Sequence, residues 1–322
     1  MACAQPEGGD ALRVFVAGAS GVIGRRLVPQ LREAGHEVVG TTRSPQKVEL
    51  LRVLGAEPAV VDALDAGALA TVVREARPEV VVNELTDLPR KLRPRNPDYG
   101  QTGRLRREAT ATLADAGREV GARRLISQSI AFLYALRGER IKDEEAPLME
   151  PTIGTAFDEP IRGTRELERI TAEAEGLEGI VLRYGWFYGP GTYFAHDGSS
   201  AEEVRRRRYP IVGDGGGISS FIHVDDAAAA TVRALDHGST GIYNIVDDDP
   251  ASLREWLPLY AEARGAKPPR RLPAWLVRLL AGRMTVAQAT GMPGAANAKA
   301  KRELGWQPRY RSWRQGFHEA LG

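Results

Sequence analysis

The sequence predicts an α/β chain: a Rossmann-type, doubly wound parallel sheet followed by a smaller C-terminal lobe that binds substrate. Three observations carry this. Short runs rich in valine recur without polar alternation, as in RVFVAG, EVVG, AVVD and EVVVN, and strands buried on both faces read that way. Amphipathic stretches separate the runs, as parallel crossovers require. A glycine-rich turn, GASGVIG at 18–24, joins the first run to the first helical stretch.

In order, LRVFVAG, HEVVGTT, EPAVVDA and PEVVVNE read as strands. VIGRRLVPQLREAG, SPQKVELLRVLG and AGALATVVREAR read as the helices between them. Longer helices are expected over about 98–121 and 160–176, with strands at RRLISQS (123–129) and GIVLRYG (179–185). Beyond Gly185 the alternation fails, and glycine, proline and aromatics crowd into GWFYGPGTYF and RYPIVGDGGGISSF. Such composition belongs to loops over a pocket. DDAAAATVRALDHG then reads as a helix and GIYNIV as a strand, with helices near 251–264, 272–284 and 312–321. The expected organisation is a flexible tail at 1–11, a dinucleotide-binding domain at 12–184, and a mainly substrate-binding lobe at 185–322, with about 220–250 returning to the first domain.

Forty-four basic against 42 acidic residues leave a net charge of +2 over 322 residues. That gives no field of the kind that marks a nucleic-acid binder, and Arg205 to Arg208 read as a solvated face. Cys3 is the single cysteine, which excludes an intrachain disulfide or a cysteine zinc site and fits a reducing compartment. No His, Asp and Glu spacing suggests a metal. MACAQPEGGDA lacks the parts of a signal peptide, and LPAWLVRLLAGRM (272–284), interrupted by Arg278 and Arg283, reads as a core-facing or dimer-facing helix rather than a membrane span. A soluble cytoplasmic protein with a small-molecule substrate is expected, without nucleic acid or membrane as partner.

Glycine is needed in GASGVIG because backbone must approach a pyrophosphate closely, and the amides and dipole of the following helix favour its charge. The second strand ends in TTRSPQK. Arg43 there suits a 2′-phosphate, with Ser44 as a hydroxyl donor and Lys47 as a diffuse charge, so NADP (NADPH) is expected over NAD. A solvated loop arginine is the alternative. Asp62 in VVDALD either accepts from an adenine amino group or caps the next turn.

With GASGVIG, VVDALD, RRLISQS, VLRYGWFYGPG, FIHVDDAAAA, GIYNIVDDDP and NAKAKRELGWQP in order, the chain resembles the extended short-chain dehydrogenase/reductase superfamily, its NAD-dependent epimerase/dehydratase group. The resemblance runs from about residue 12 to 320. It implies a nicotinamide dinucleotide across the sheet's C-terminal edge and a substrate under the C-terminal lobe. It implies Gly18, Ser20, Gly21, Val22, Ile23 and Gly24 at the pyrophosphate, and Asp62 with Ala63 at the adenine. Asn83 and Glu84 fall beside the ribose and nicotinamide, and Ser127, Tyr184 and Phe187 are also expected at the cofactor. Glu84 and Asp87 add two acids near the mouth. A homodimer through the helices at about 98–121 and 160–176 follows by analogy.

Ser129, in SQS, takes the place of the serine that hydrogen-bonds the reacting oxygen in such proteins. A tyrosine and a lysine four residues on should follow, yet no Y-x-x-x-K occurs in the sequence. Their slots fall on Phe157 or Asp158 and on Ile161 or Arg162, within AFDEPIRG. Pro160 marks a helix beginning there, which makes Asp158 an N-cap. Paired with Arg162, Asp158 is alternatively a carboxylate base in the phenol's stead. Tyr188 is a further candidate for the proton.

Trp186 stands where sugar-nucleotide enzymes of the group place an asparagine, and Ser219 or Ser220 where they place an arginine. Both changes remove handles for a diphosphate. Trp186, Phe187, Tyr188, Tyr193 and Phe194 bring apolar area, so a small hydrophobic or aromatic substrate is expected in place of a nucleotide sugar. His196 with Asp197 forms either a mobile acid/base pair or an exposed loop. Two function classes remain: an NAD(P)-dependent oxidoreductase or epimerase-like enzyme, and an NADP-binding non-redox protein, namely an isomerase, cyclase, lyase or redox-sensing regulator resembling NmrA.

Overall fold

The computed structural model describes residues 11–89, 91, 99–151 and 158–319. All but the last residue of the expected tail, and Phe157, lie outside the described residues. Seven strands form the central sheet: β1 (Arg13–Ala17), β2 (Glu37–Thr42), β3 (Glu57–Val60), β4 (Val80–Asn83), β5 (Arg124–Ile130), β6 (Glu178–Tyr184) and β7 (Gly241–Ile245). They are all parallel, in the order β7-β6-β5-β4-β1-β2-β3. The chain leaves β1 toward one edge and returns at β4 toward the other. This reversal opens a crevice at the C-terminal ends of β1 and β4, where open α/β sheets bind ligands.

Helices cover both faces, which is why the strand runs show no polar alternation. α1 (Gly24–Glu33), α2 (Val48–Leu54) and α3 (Ala66–Ala76) connect the first four strands. α4 (Gly100–Arg104) runs through a π-helical turn, Leu105–Ala109, into α5 (Thr110–Glu119). α6 (Asp158–Ala172) precedes β6. Val14, Val16, Val80 and Val82 pack with Leu27 and Leu31 of α1 on one face. Phe15, Val81 and Leu125 pack with Leu69, Val73 and Leu113 on the other.

After β6 come α7 (Ser199–Arg205) and α8 (Val224–Arg233). The buried alanines Ala227, Ala228 and Ala230 let α8 lie close against α1, and β7 extends the sheet beside β6. The segment around 224–245 is therefore part of the large sheet domain. Asp225, in the first turn of α8, points to Arg26 at 3.5 Å. The cap is His223, whose Nδ1 accepts from the Asp225 amide at 3.2 Å. Burial lowers this imidazole's pKa to about 4, so it remains a neutral acceptor.

Of the remaining helices, α11 (Ala298–Glu303) packs on β7 of the large sheet, while α9 (Leu253–Ala263), α10 (Ala274–Gly291) and α12 (Trp313–Glu319) complete the second lobe. Its core is aromatic: Phe221 meets Trp256 edge-on at 5.3 Å, and Phe194 meets Tyr260 at 5.5 Å. α10, read from sequence as 272–284, runs on to Gly291 and breaks at Gly282, whose φ is 88°. Among the described residues no helix is long and apolar enough to cross a membrane.

A buried ion pair locks α6 to the sheet. Arg183 of β6 donates from Nη2 to Glu168 Oε2 at 2.7 Å and from Nε to Oε1 at 2.8 Å. The side chains are only 4% and 7% exposed. Tyr134 and Asn244 extend the network, with Arg183 Nη1 to Tyr134 Oη at 2.9 Å and Tyr134 Oη to Asn244 Oδ1 at 2.7 Å. On its other side α6 meets α4 through glycines: a Cβ on Gly163 would lie 2.8 Å from Gly103 Cα. The helical stretches at about 98–121 and 160–176 pack on each other within the chain.

Candidate active site

A cleft of about 1140 Å³ runs along the C-terminal ends of the strands, roofed by the second lobe. Gly18, Ser20, Gly21, Val22, Ile23 and Gly24 line one part of it at the N-terminus of α1. Gly18 has φ 90°, and a Cβ there would lie 2.8 Å from the Glu84 carbonyl oxygen. A Cβ on Gly24 would come within 2.4 Å of the Ala19 carbonyl. Both glycines are therefore structurally required, and the bare backbone they leave at a helix N-terminus fits a dinucleotide pyrophosphate. Thr41 and Thr42 hold the turn from β2, accepting from Gly18 N at 3.0 Å and bonding Ser20 Oγ at 3.1 Å.

Arg43, Ser44, Lys47, Asp62 and Ala63 line the adjacent stretch beyond β2 and β3. Arg43 Nη2 pairs with Asp87 Oδ1 at 3.0 Å across the mouth, both groups partly in solvent. Such a pair is weak and open to exchange. Asp62 accepts from the Leu64 amide at 3.0 Å while facing the cleft, so capping and lining coexist in one residue.

Several expected residues do not reach the cleft. Side chains alternate along β5, and Ser127 and Ser129 fall on the face turned to α6. Ser129 donates to Glu168 Oε1 at 2.6 Å and is fully buried, while Ser127 accepts from Thr171 Oγ1 at 2.8 Å. Gln128 and Ile130 face the cleft in their place. Asn83 is buried on Thr110 (2.9 Å). Tyr184 is buried beneath the cleft and bonds Glu84 and Thr231 at 3.0 and 2.6 Å. Tyr188 belongs to the aromatic core, edge-on to Phe221 and Phe317. His196 is exposed and turned outside the cleft, although Asp197 borders it.

The face of α6 that meets the cleft is Pro160. One turn further along that face is Thr164, fully buried. Asp158 lies two residues, about 200°, round the helix from Pro160; it does not line the cleft, and Arg162 faces solvent. Of the slots the resemblance assigns to a phenol and an ammonium, Phe157 lies outside the described residues and Asp158, Ile161 and Arg162 do not line the cleft; the α6 side chains beside it are Pro160 and Thr164. The space beside them is filled from the π-helical turn: Arg106, 4% exposed, lines the cleft and donates from Nη1 to Thr164 Oγ1 at 2.7 Å. The sequence reading did not include Arg106, nor Gln128 or Phe132.

Beyond this point the cleft is ring-lined. Phe132 and Trp186 stack at 4.0 Å with 13° between planes. Phe187, Tyr193 and Phe194 complete the wall, Tyr193 bonding the Pro89 carbonyl. Six buried polar atoms on the cleft lining have no hydrogen-bond partner among the described residues: Glu84 Oε2, Arg106 Nε, Gln128 Oε1, Trp186 Nε1, Ser200 Oγ and Trp256 Nε1. Buried polar groups are normally satisfied, so such a cluster marks where ligand atoms belong. Burial raises the Glu84 pKa to about 8, the Tyr184 hydroxyl opposing in part, so that carboxyl stays protonated at neutral pH.

A glycine cradle at the switch point of a Rossmann sheet, opening into a ring-lined pocket, defines a dinucleotide-dependent α/β enzyme. Residues 14–246 match the NAD dependent epimerase/dehydratase family, and the chain belongs to it. It is 47% identical over 308 residues, 95% of this chain and 99% of the relative, to a 3-diazoavenalumate denitrifying reductase of a Streptomyces species. A 4-hydroxy-2-methyl-3-oxo-4-farnesyl-3,4-dihydroquinoline-1-oxide ketoreductase of Stigmatella aurantiaca is 25% identical over 264 residues, 80% of this chain and 74% of the relative. The fold is shared with the UDP-glucose 4-epimerase of Thermotoga maritima, at TM-score 0.74 and 21% identity over 96% of this chain and 97% of that one. The chain is an NAD(P)-dependent oxidoreductase of this family.

Two outcomes follow from these placements. Ser129→Ala should lower stability by about 1–2 kcal/mol, one hydrogen bond to a charged group, and leave turnover intact, as urea unfolding and steady-state rates will show. Lost turnover at unchanged stability would return Ser129 to the chemistry. For Glu84 the folded pKa of about 8 lies above the unfolded value of 4.5. The folded state therefore holds the extra proton across that window, and the contribution to stability falls as pH rises from about 4.5 to 8. Glu84→Gln should flatten this fall, so that its melting temperature gains on the parent's as pH rises; parallel curves would refute the assignment.

Proposed function

We propose that the protein is an NADPH-dependent reductase that removes nitrogen from a small aromatic diazo carboxylate. The observation that carries this is the cleft face of α6 and β5: Pro160, Gln128 and Ile130 line it, with Thr164 buried one turn on, and among the described residues no phenol, ammonium or serine hydroxyl stands on that face. Carbonyl reduction needs a proton delivered to oxygen as hydride reaches carbon. On these two faces no such donor stands among the described residues. Loss of dinitrogen makes no such demand, and the relative named as a diazoavenalumate denitrifying reductase supports the reading.

When bound, the reduced nicotinamide supplies a hydride: a C–H bond forms at the diazo carbon, the C–N bond breaks, and its electron pair leaves with dinitrogen. The chain's own residues position and exclude. The Phe132–Trp186 stack offers a flat surface to an aromatic ring. Ile130 and Pro160 keep the reacting region apolar, which limits competing attack by water on a diazo group. The glycine turn holds the pyrophosphate. Arg43, freed from Asp87, pairs with the 2′-phosphate, with Ser44 and Lys47 beside it.

The test is to incubate the protein with NADPH and diazotised aminobenzoate, following dinitrogen by mass spectrometry against an enzyme-free control. Nitrogen release should match NADPH consumed, and deuterium should enter the product ring from C4-deuterated NADPH and not from deuterated water. Release no faster than the control, alongside rapid reduction of an aromatic ketone, overturns the reading. Separately, Arg43→Ala should erode the preference for NADPH over NADH by about tenfold or more, the worth of a charge-assisted bidentate pair. Calorimetric titration with both coenzymes checks this, and an unchanged ratio refutes the NADP assignment.

A further inference from the structure

Arg106 is a buried cation that nothing above employs. Its Nη1 is fixed on Thr164 Oγ1 at 2.7 Å, and Thr164 is itself held by donating to the Pro160 carbonyl at 2.8 Å. Its Nε has no partner among the described residues. The acid whose field reaches it is Glu168, and Glu168 is already engaged by both arms of Arg183 and by Ser129. Two buried guanidinium groups thus share one carboxylate. A buried charge without a counter-ion is costly, and a site that keeps one is built to receive an anion. Burial lowers the Arg106 pKa only to about 10, so the charge persists at neutral pH.

The position of this charge decides which anion. The coenzyme's phosphates belong to the glycine turn and the loop after β2, on the β1–β2 side of the crevice. Arg106 lies on the opposite side, over β4 and β5, lining the cleft with Leu105, Gln128 and Pro160. Other cations of the lining are spoken for or exposed: Arg43 on Asp87, Lys91 on Glu202, Arg208 at the surface. Glu84, held protonated, does not neutralise the site.

We propose that Arg106 recognises an anionic oxygen of the substrate, carboxylate or phenolate, and orients the aromatic ring held against Phe132 and Trp186. Thr164 acts as its positioning residue. The inference rests on the reading that the cleft holds a nicotinamide coenzyme and a small aromatic substrate. It makes Arg106 a specificity-determining residue of the reductase: a guanidinium fork binds planar carboxylate in two-point geometry, which fixes the ring's rotation as well as its presence.

Unreactive probe pairs test it by calorimetry, with and without NADP+: cinnamate against cinnamamide, and nitrophenolate against nitroanisole. The parent protein should bind at least one anion more tightly than its neutral partner, and the pair that responds identifies the oxygen. Arg106→Gln should weaken that anion by about ten- to hundredfold, the worth of a hydrogen bond to a charged group, and leave the neutral partner and NADP+ nearly unchanged. Arg106→Lys should recover part of the loss. Thr164→Val, which keeps the cation but frees it, should weaken the anion by several-fold and serves if Arg106→Gln proves too unstable. Equal losses for both members of each pair, no preference for either anion in the parent, or a loss confined to NADP+ would overturn the proposal. Since none of the probes is reduced, failed diazo turnover beside an intact anion preference would sink the reaction and spare the role of Arg106.

Discussion

The Glu168–Arg183 ion pair sets the rotation of α6, and the character of the cleft depends on that rotation. Residues 160, 164, 168 and 171 form one stripe on the helix, spaced by three and four. Glu168 is drawn to β6 by two hydrogen bonds and Thr171 to Ser127 of β5 by another. With the lower half of the stripe fixed against the sheet, the upper half has no freedom, and Pro160 and Thr164 must face the cleft. Taking two charges out of water is expensive, and the hydrogen bond that Ser129 donates to Glu168 and the one that Tyr134 accepts from Arg183 offset that cost. The serine that resembles a catalytic group is one of the supports of this lock.

The fold was legible because its causes are local and repeated. Valine runs such as VVVN at 80–83 leave no polar face, so the strand must be covered on both sides, and the glycines of 18–24 are demanded by backbone contacts a Cβ would occupy. The glycine turn at the head of α1 could be read for the same reason. The catalytic end could not, because it turns on the parity of one strand. Had β5 been read with Gln128 and Ile130 toward the crevice, Ser127 and Ser129 would have fallen behind it, and nothing in RRLISQS declares which face is which. Tyr188 and Phe194 are aromatic residues six positions apart in one core cluster, yet only Phe194 also lines the cleft. That difference arises from the packing of α9 and α12, distant in sequence.

Arg106 left a fainter trace. Thr102, Gly103, Leu105, Ala109, Thr110 and Leu113 are buried, and an arginine at 106 falls on this otherwise small and apolar stripe. A charge on a buried stripe is a functional signal in principle. Here Arg104 and Arg107 beside it, both in surface ion pairs, made it look like one more solvated arginine. The π-helical turn at 105–109 is equally invisible in composition, although such turns are frequent at functional sites.

The contact between Arg106 and Thr164 also bears on how such a site can change over evolutionary time. A lysine installed at 164 would bring its ammonium against a guanidinium that has no spare carboxylate to share, and a tyrosine at 160 alone would have no cation tuned to ionise it. Two substitutions would therefore not rebuild a dehydrogenase pair; the arginine would have to go first, leaving an intermediate with neither arrangement. The missing tyrosine–lysine pair is thus matched by a charge that leaves no room for one to be restored singly.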